Sequence, residues 1–278
     1  MLNLFHEVSR KCSEAITETY STSFSSAVKL LHKDLRPHIH NIYGFVRFAD
    51  EIVDTFHDFD KPALLADFQT ETYAAIKRKL SLNPILHSFQ QTVNAYNISL
   101  DLIDAFFFSM QLDIEKKQYD HSLYSKYIYG SAEVVGLMCL HVFCENNEAM
   151  YEHLKPFAQS LGAAFQKVNF LRDVKNDFEN LNRIYFPNCD FRNFTAAEKA
   201  AIEKDIQKDF DHAYLGIAQL PAKAKFGVYV AYKYYLSLFK KIKKVEPQRI
   251  LQHRIRIPNY SKAFILAKAG IKSQFKLL

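Results

Sequence analysis

The sequence predicts an all-helical protein, and three observations carry that prediction. Apolar residues recur three and four apart through most of the 278 residues, the spacing of one helix face. Glycine and proline number only 7 and 8, too few for the tight turns of an all-β or Gly-loop nucleotide fold. Most of those prolines also stand where the apolar pattern breaks, at helix boundaries where a missing N–H costs little.

The predicted elements follow in order from that punctuation. A helix over 3–19 is followed by one over 22–34 that stops short of Pro37, and a third runs over 38–57. Helices over 61–80, 84–97 and 99–117 come next, the middle one opening on Pro84. The segment 121–145 contains the longest apolar stretch, Val134 to Leu140, and 147–181 ends before Pro187. Pro221 separates 196–218 from 222–244, Pro247 follows that helix, and Pro258 opens the last one, 258–275. No solenoid-length repeat and no Ser/Gly/Pro-rich linker divides the chain, so residues 1–278 are read as a single domain.

Composition narrows the function classes. Hydrophobic residues make up 49% of the chain, enough for a large core, which excludes a disordered or fibrous protein. The longest apolar stretch falls well below the roughly 18–20 residues of a bilayer span, so no transmembrane helix is expected. The start, MLNLFHEVSRKCSE, lacks the apolar core of a signal peptide, which predicts a cytoplasmic protein. Cys12, Cys139, Cys144 and Cys189 are scattered with no zinc-ligand spacing and are read as reduced thiols. Residues 221–278 carry 14 Lys and Arg against the single acid Glu246, leaving 22 basic and 29 acidic residues in the body. Such a tail is either a solvated face or a contact for anionic membrane or polyanion.

Two acidic helical segments about 120 residues apart carry the chemistry. In the first, Tyr43, Arg47, Asp50 and Asp54 share one face, the carboxylates about 5–6 Å apart between Cβ atoms. In the second, Gln166, Asn169, Asp173 and Asp177 step by three, four and four, a polar stripe among Val168, Phe170, Leu171 and Val174. Paired carboxylates repel unless a cation lies between them, and oxygen donors in this number suit Mg²⁺, held by carboxylates, waters and substrate phosphates. Two such stripes facing one another would bind a diphosphate through bridging divalent cations.

These residues resemble the head-to-head prenyl synthases that make phytoene, squalene or dehydrosqualene. The run from Leu161 through Gln166, Asn169, Arg172, Asp173 and Asp177 to Arg183, Tyr185 and Pro187 is similar to that family's second signature almost in full. Ser21-Thr-Ser23-Phe24, the Tyr43–Asp54 segment and Tyr127-Ile-Tyr-Gly-Ser131-Ala-Glu133 also match, so the resemblance spans about residues 8 to 260. It is greatest to bacterial phytoene synthase. It implies an isoprenoid-synthase helical bundle around a central cavity. By that resemblance Asp50, Asp54, Asp173 and Asp177, with Asn169, hold Mg²⁺ (Mn²⁺ being the alternative ion). Arg47, Arg172, Ser21, Ser23, Tyr43 and Gln166 contact diphosphate or the reacting carbons, Tyr127 and Tyr235 add contacts, and Arg183 and Tyr185 close the site. Phe24, Phe165 and Phe170 lie nearest the motifs and are candidates for the cavity wall. The sequence departs from the pattern at Tyr20, Ser131, Glu133 and Asn182.

The activity the resemblance implies is Mg²⁺-dependent 1-1′ condensation of two geranylgeranyl diphosphates to phytoene, without NADPH. The alternative is squalene or dehydrosqualene synthesis from two farnesyl diphosphates. A non-catalytic helical protein of the same fold should have lost a motif carboxylate, and none is lost here. Prenyl diphosphates are the expected partners. Lys233, Lys240, Lys241, Lys243 and Lys244 are candidates for peripheral contact with anionic membrane, and no nucleic acid is expected.

Overall fold

The computed structural model describes residues 1–115, 119–179, 185–187, 189, 191–251 and 254–274. Helices account for nearly all of them, and no strand occurs among the described residues. The helices are α1 (Leu2–Tyr20), α2 (Thr22–Val28), α3 (Arg36–Asp54), α4 (Lys61–Arg78), α5 (Pro84–Tyr96) and α6 (Leu100–Glu115). They continue with α7 (His121–Ile128), α8 (Val134–Cys144), α9 (Glu148–Glu179), α10 (Ala196–Ile217), α11 (Ala222–Lys243), α12 (Pro247–Ile250) and α13 (Asn259–Gln274).

Side chains at the helix starts supply partners for otherwise orphaned backbone donors. Asp60 accepts from the Ala63 N–H at 3.1 Å, Asn83 from Ile85 at 3.0 Å and Asp120 from Leu123 at 2.7 Å. Thr195 and Glu198 form a reciprocal capping box on α10. Lys79, Asn97 and Glu145 end α4, α5 and α8 in the left-handed conformation.

Two predicted helices differ from the sequence reading, and the short α12 at Pro247–Ile250 was not expected. The helix expected over 22–34 stops at Val28, because the next turn tightens through Leu30 N–H to Ala27 O and Leu31 N–H to Val28 O. The His32 N–H then bonds the Lys223 carbonyl of α11, redirecting the chain into α3. The helix expected over 121–145 contains a π-helical turn at Tyr129–Glu133. Gly130 faces α6 there, where a Cβ would stand 2.3 Å from the Ala105 carbonyl oxygen. One extra residue in the turn accommodates that approach, which periodicity alone does not reveal. By length and composition this helical stretch, His121–Cys144, could cross a bilayer, which the short Val134–Leu140 run did not suggest. Half of it is buried inside the molecule, packed on α6 and α9.

The core runs the length of the bundle. Phe45 of α3 is fully buried and stacks on Phe89 of α5 with ring centroids 3.9 Å apart. Lys167 of α9 reaches Asp205 and Asp209 of α10, the latter at 2.7 Å. Between α1, α3 and α5 lies a polar seam. The Ser13 and Ser88 hydroxyls pair at 2.7 Å, His38 Nδ1 meets the Thr92 hydroxyl at 3.0 Å, and His6 Nδ1 meets His87 Nε2 at 2.7 Å. The Ser81 N–H donates to His87 Nδ1, so this imidazole is neutral and carries its proton on Nε2. All four cysteines are free thiols.

Candidate active site

Helices α2, α3, α6, α7, α8, α9, α10 and α11 line a cavity of about 1110 Å³. Helix α9 supplies its longest wall. Leu154, Phe157, Leu161, Phe165, Asn169 and Asp173 all face inward, a stripe that changes from apolar to polar along one helix. At the polar end, Asp50 and Asp54 of α3 join Asp173, which brings the two predicted acidic segments to one cavity.

Burial and the charges of Asp54 and Asp113 push the Asp50 carboxyl up to about 8, against the opposing pull of Arg47. The Arg47 guanidinium pairs with Glu51 one turn on and lies 4.4 Å from the centre of the Tyr20 ring. Tyr20, one of the departures from the family pattern, therefore holds the site arginine through its π face. Burial also raises the Tyr43 phenol to about 12, and its ring stacks on Phe24 at 5.0 Å. Ser21 hydrogen-bonds Tyr43 and caps α2 by accepting from the Phe24 N–H at 3.3 Å. Both Ser21 and Phe24 line the cavity, whereas Ser23 is half-buried off its wall.

On the facing side Asn169 donates to Gln166 at 3.4 Å, and Gln166 donates to the Ser131 hydroxyl at 3.4 Å. The Asn169 carbonyl oxygen is buried with no hydrogen-bond partner. An orphaned amide oxygen beside carboxylates is an oxygen donor set of the kind Mg²⁺ takes. Among the described residues no three acidic, His or Cys side chains converge on one point. Asp50, Asp54 and Asp173 line the polar end, and an ion held there would complete its shell with water and substrate oxygens. Arg172 pairs with Asp173 through its Nε at 3.0 Å. The Asp177 side chain, Asn182 and Arg183 lie outside the described residues.

Phe165 and Phe170 both line the cavity. Tyr235 stacks on Phe165 at 3.9 Å, and Tyr185 stacks on Phe170 at 4.1 Å. Glu133 turns away from the cavity to accept from Gln159 at 3.0 Å, leaving Ser131 and Ala132 on the wall.

Two residues were missed. Asp113 of α6 lines the cavity and receives the hydroxyls of Tyr127 at 2.6 Å, Tyr119 at 3.1 Å and Tyr185 at 3.1 Å. A signal existed, since Asp113 is a carboxylate ending the uncharged, mostly apolar run Phe106-Phe-Phe-Ser-Met-Gln-Leu. Arg254 also reaches the site, its Nε 2.7 Å from Asp173 Oδ1, and nothing local in the sequence marks it.

A model of the squalene/phytoene synthase family matches residues 17–261. The chain belongs to that family. It is accordingly a prenyltransferase of the head-to-head class. The chain is 26% identical to the 15-cis-phytoene synthase of Paracoccus sp. (strain N81106 / MBIC 01143), over 93% of this chain and 89% of that one. It is 28% identical to the 4,4'-diapophytoene synthase of Staphylococcus haemolyticus (strain JCSC1435), over 70% and 67% of the two chains. Its fold matches the crystal structure of a dehydrosqualene synthase with a TM-score of 0.84 at 20% identity, over 98% of both chains. Squalene synthase HpnC from Alicyclobacillus acidocaldarius matches with a TM-score of 0.73 at 20% identity, over 86% of this chain and 94% of that one. The isoprenoid-synthase bundle implied by the motifs is therefore the observed fold.

Proposed function

We propose that this enzyme joins two molecules of geranylgeranyl diphosphate head to head into phytoene, releasing two diphosphates and two protons. That balance consumes no reductant, so NADPH is not required. The observation that carries the reading is the depth of the α9 stripe down to the Phe157 ring, which stands one turn above Leu154, where the stripe begins. Phe157 lies 16 residues before Asp173, about 24 Å along the helix at 1.5 Å per residue. An extended carbon chain with bonds near 1.5 Å advances ~5 Å per isoprene unit, so a C20 chain spans ~20 Å and a C15 chain ~15 Å. The distance suits four units with the diphosphate at the carboxylates.

The α10 residue Gly216 supports Phe157 as the floor. A Cβ at Gly216 would stand 2.2 Å from the Phe157 Cβ, so the ring rests directly on this backbone. Asp50, Asp54, Asn169, Asp173 and Asp177 are the residues that would hold Mg²⁺, which when bound neutralises the leaving diphosphate. Arg47, Arg172 and Arg254 add fixed positive charge at the same end. The rings of Phe165, Phe170, Tyr185 and Tyr235 exclude water and present π faces to an allylic cation. Asp113 anchors Tyr127 and Tyr185 by their hydroxyls, fixing those rings.

A second reading, diapophytoene or squalene formation from two C15 diphosphates, draws on the TM-score of 0.84 to a dehydrosqualene synthase. Incubation with Mg²⁺ and C15 or C20 diphosphate, with and without NADPH, followed by mass spectrometry of the hydrocarbons, decides between them. A C40 product from C20 without NADPH supports phytoene synthesis, and a C30 product replaces it with the second reading. No product from either overturns both.

A further inference from the structure

Away from the cavity, α11 and α13 form a second concavity of about 700 Å³ that the condensation does not use. Its floor is apolar, with Leu236 of α11 and Ile265 and Ala269 of α13, and Lys233, Lys240 and Lys268 stand in its walls. Among the described residues no carboxylate lines it. Lys233 sits over the rings of Tyr229, Tyr232 and Tyr214 at 5.1–5.7 Å, whereas Lys240 and Lys268 are exposed. Two of the other lysines expected to contact membrane are engaged on the protein. Lys241 donates to the Arg256 carbonyl at 2.7 Å, and Lys243 lies 5.4 Å from the Phe239 ring centre.

The outward face of α13 is apolar. Tyr260 and Phe264, one turn apart, are 77% and 70% exposed, with Ala263 and Ala267 beside them. An exposed aromatic pair flanked by lysines, within a region holding 14 cations and one acid, is the composition of a helix lying in an anionic lipid interface. Its position relative to the cavity points the same way. Lys262 of α13 reaches the Thr22 hydroxyl at 3.5 Å, next to the site residue Ser21, and Arg254, just before α13, pairs with Asp173.

We propose that the α11–α13 groove docks this enzyme on anionic bilayers, with Tyr260 and Phe264 inserted among the headgroups and Lys240 and Lys268 on lipid phosphates. Docking sets the polar end of the cavity beside the membrane, the phase in which a hydrocarbon product dissolves. The body carries 29 acids against 22 bases, so a second copy of the chain is the rival occupant of this basic face.

The test uses the full chain with vesicles of phosphatidylcholine alone or with a third of phosphatidylglycerol. The chain contains no tryptophan, so Phe264→Trp places a single reporter on the docking face. Sedimentation with the anionic vesicles only, and a blue shift of that emission on binding, is the expected result. Each charge removed by Lys240→Gln or Lys268→Gln should weaken partitioning about fivefold, and salt near 1 M should abolish it. Equal binding to neutral vesicles, unchanged binding of the double lysine variant, or no blue shift overturns the proposal. So does a dimer in solution that the same substitutions dissociate. Binding is read without substrate, so docking and condensation fail separately. Both lysine variants should keep wild-type turnover on detergent-dispersed diphosphate.

Discussion

Asp50 is costly to fold and necessary to the proposed chemistry. Its carboxyl is held up to about 8 in the native state, while an unfolded aspartate ionises near 4. Between those values the unfolded chain gives up a proton that the native chain keeps, so stability falls as pH rises from about 4 to 8 and then levels. In metal-free buffer at pH 8, Asp50→Asn should therefore raise unfolding stability by about 1–3 kcal/mol, read by denaturant titration. The same variant should lose at least about 10²–10³ in turnover, because a group at the site of developing charge is gone. A variant that keeps full turnover would remove Asp50 from the ion site. At this scale the sequence was informative where spacing does the work. Asp50, Asp54 and Asp173 meet because i, i+4 steps put carboxylates on inward faces. Asp113 and Arg254 reach the site only through tertiary contacts, from α6 and from the segment ahead of α13, and no local pattern encodes such distances.

Elements set how long a substrate fits. Phe157→Ala removes the ring resting on Gly216 and should shift the preference for C20 over C15 diphosphate, or over a still longer C25 chain, toward the longer substrate by several-fold. Gly216→Ala presses the ring into the cavity and should shift it the other way. Product ratios from mixed substrates measure both, and an unchanged ratio in both would remove Phe157 as the floor. Phe45→Ala acts differently, since its ring packs among Phe68, Phe89, Phe106 and Phe107 and does not line the cavity. It should cost about 3–5 kcal/mol with little change in product ratio, checked by thermal unfolding beside turnover. Most helix boundaries were legible because proline and cap residues mark them chemically. The π turn at 129–133 was not. It answers the close approach of Gly130 to Ala105, a fact about α6 rather than about its own segment.

At the scale of the whole molecule, the excess of base beyond residue 221 was visible in the sequence. Which of those cations are engaged on the protein was not, because Lys233 lies half-buried over Tyr229, Lys241 donates to the Arg256 carbonyl and Lys243, though exposed, stands over Phe239. The histidines of the seam between α1, α3 and α5 make stability depend on pH. Burial lowers His38, His40 and His87, so each resists taking up a proton that the unfolded chain accepts below about 6.5. Stability contributed by the neutral rings is present above that pH and fades as the medium is acidified. A second proton on His87 would point Nδ1–H at the Ser81 N–H it now accepts from. Hydrogen-exchange protection factors of α1 amides should therefore fall between pH 6.5 and 5 before those of the rest of the bundle do, and a uniform fall would show that no such early release occurs. Helix α1 runs from that seam to Tyr20, which holds Arg47 at the cavity. Acid should therefore loosen α1 first where His6 meets His87, and a turnover loss below pH 6.5 that tracks this loosening would show that it carries along the helix to the Tyr20–Arg47 contact.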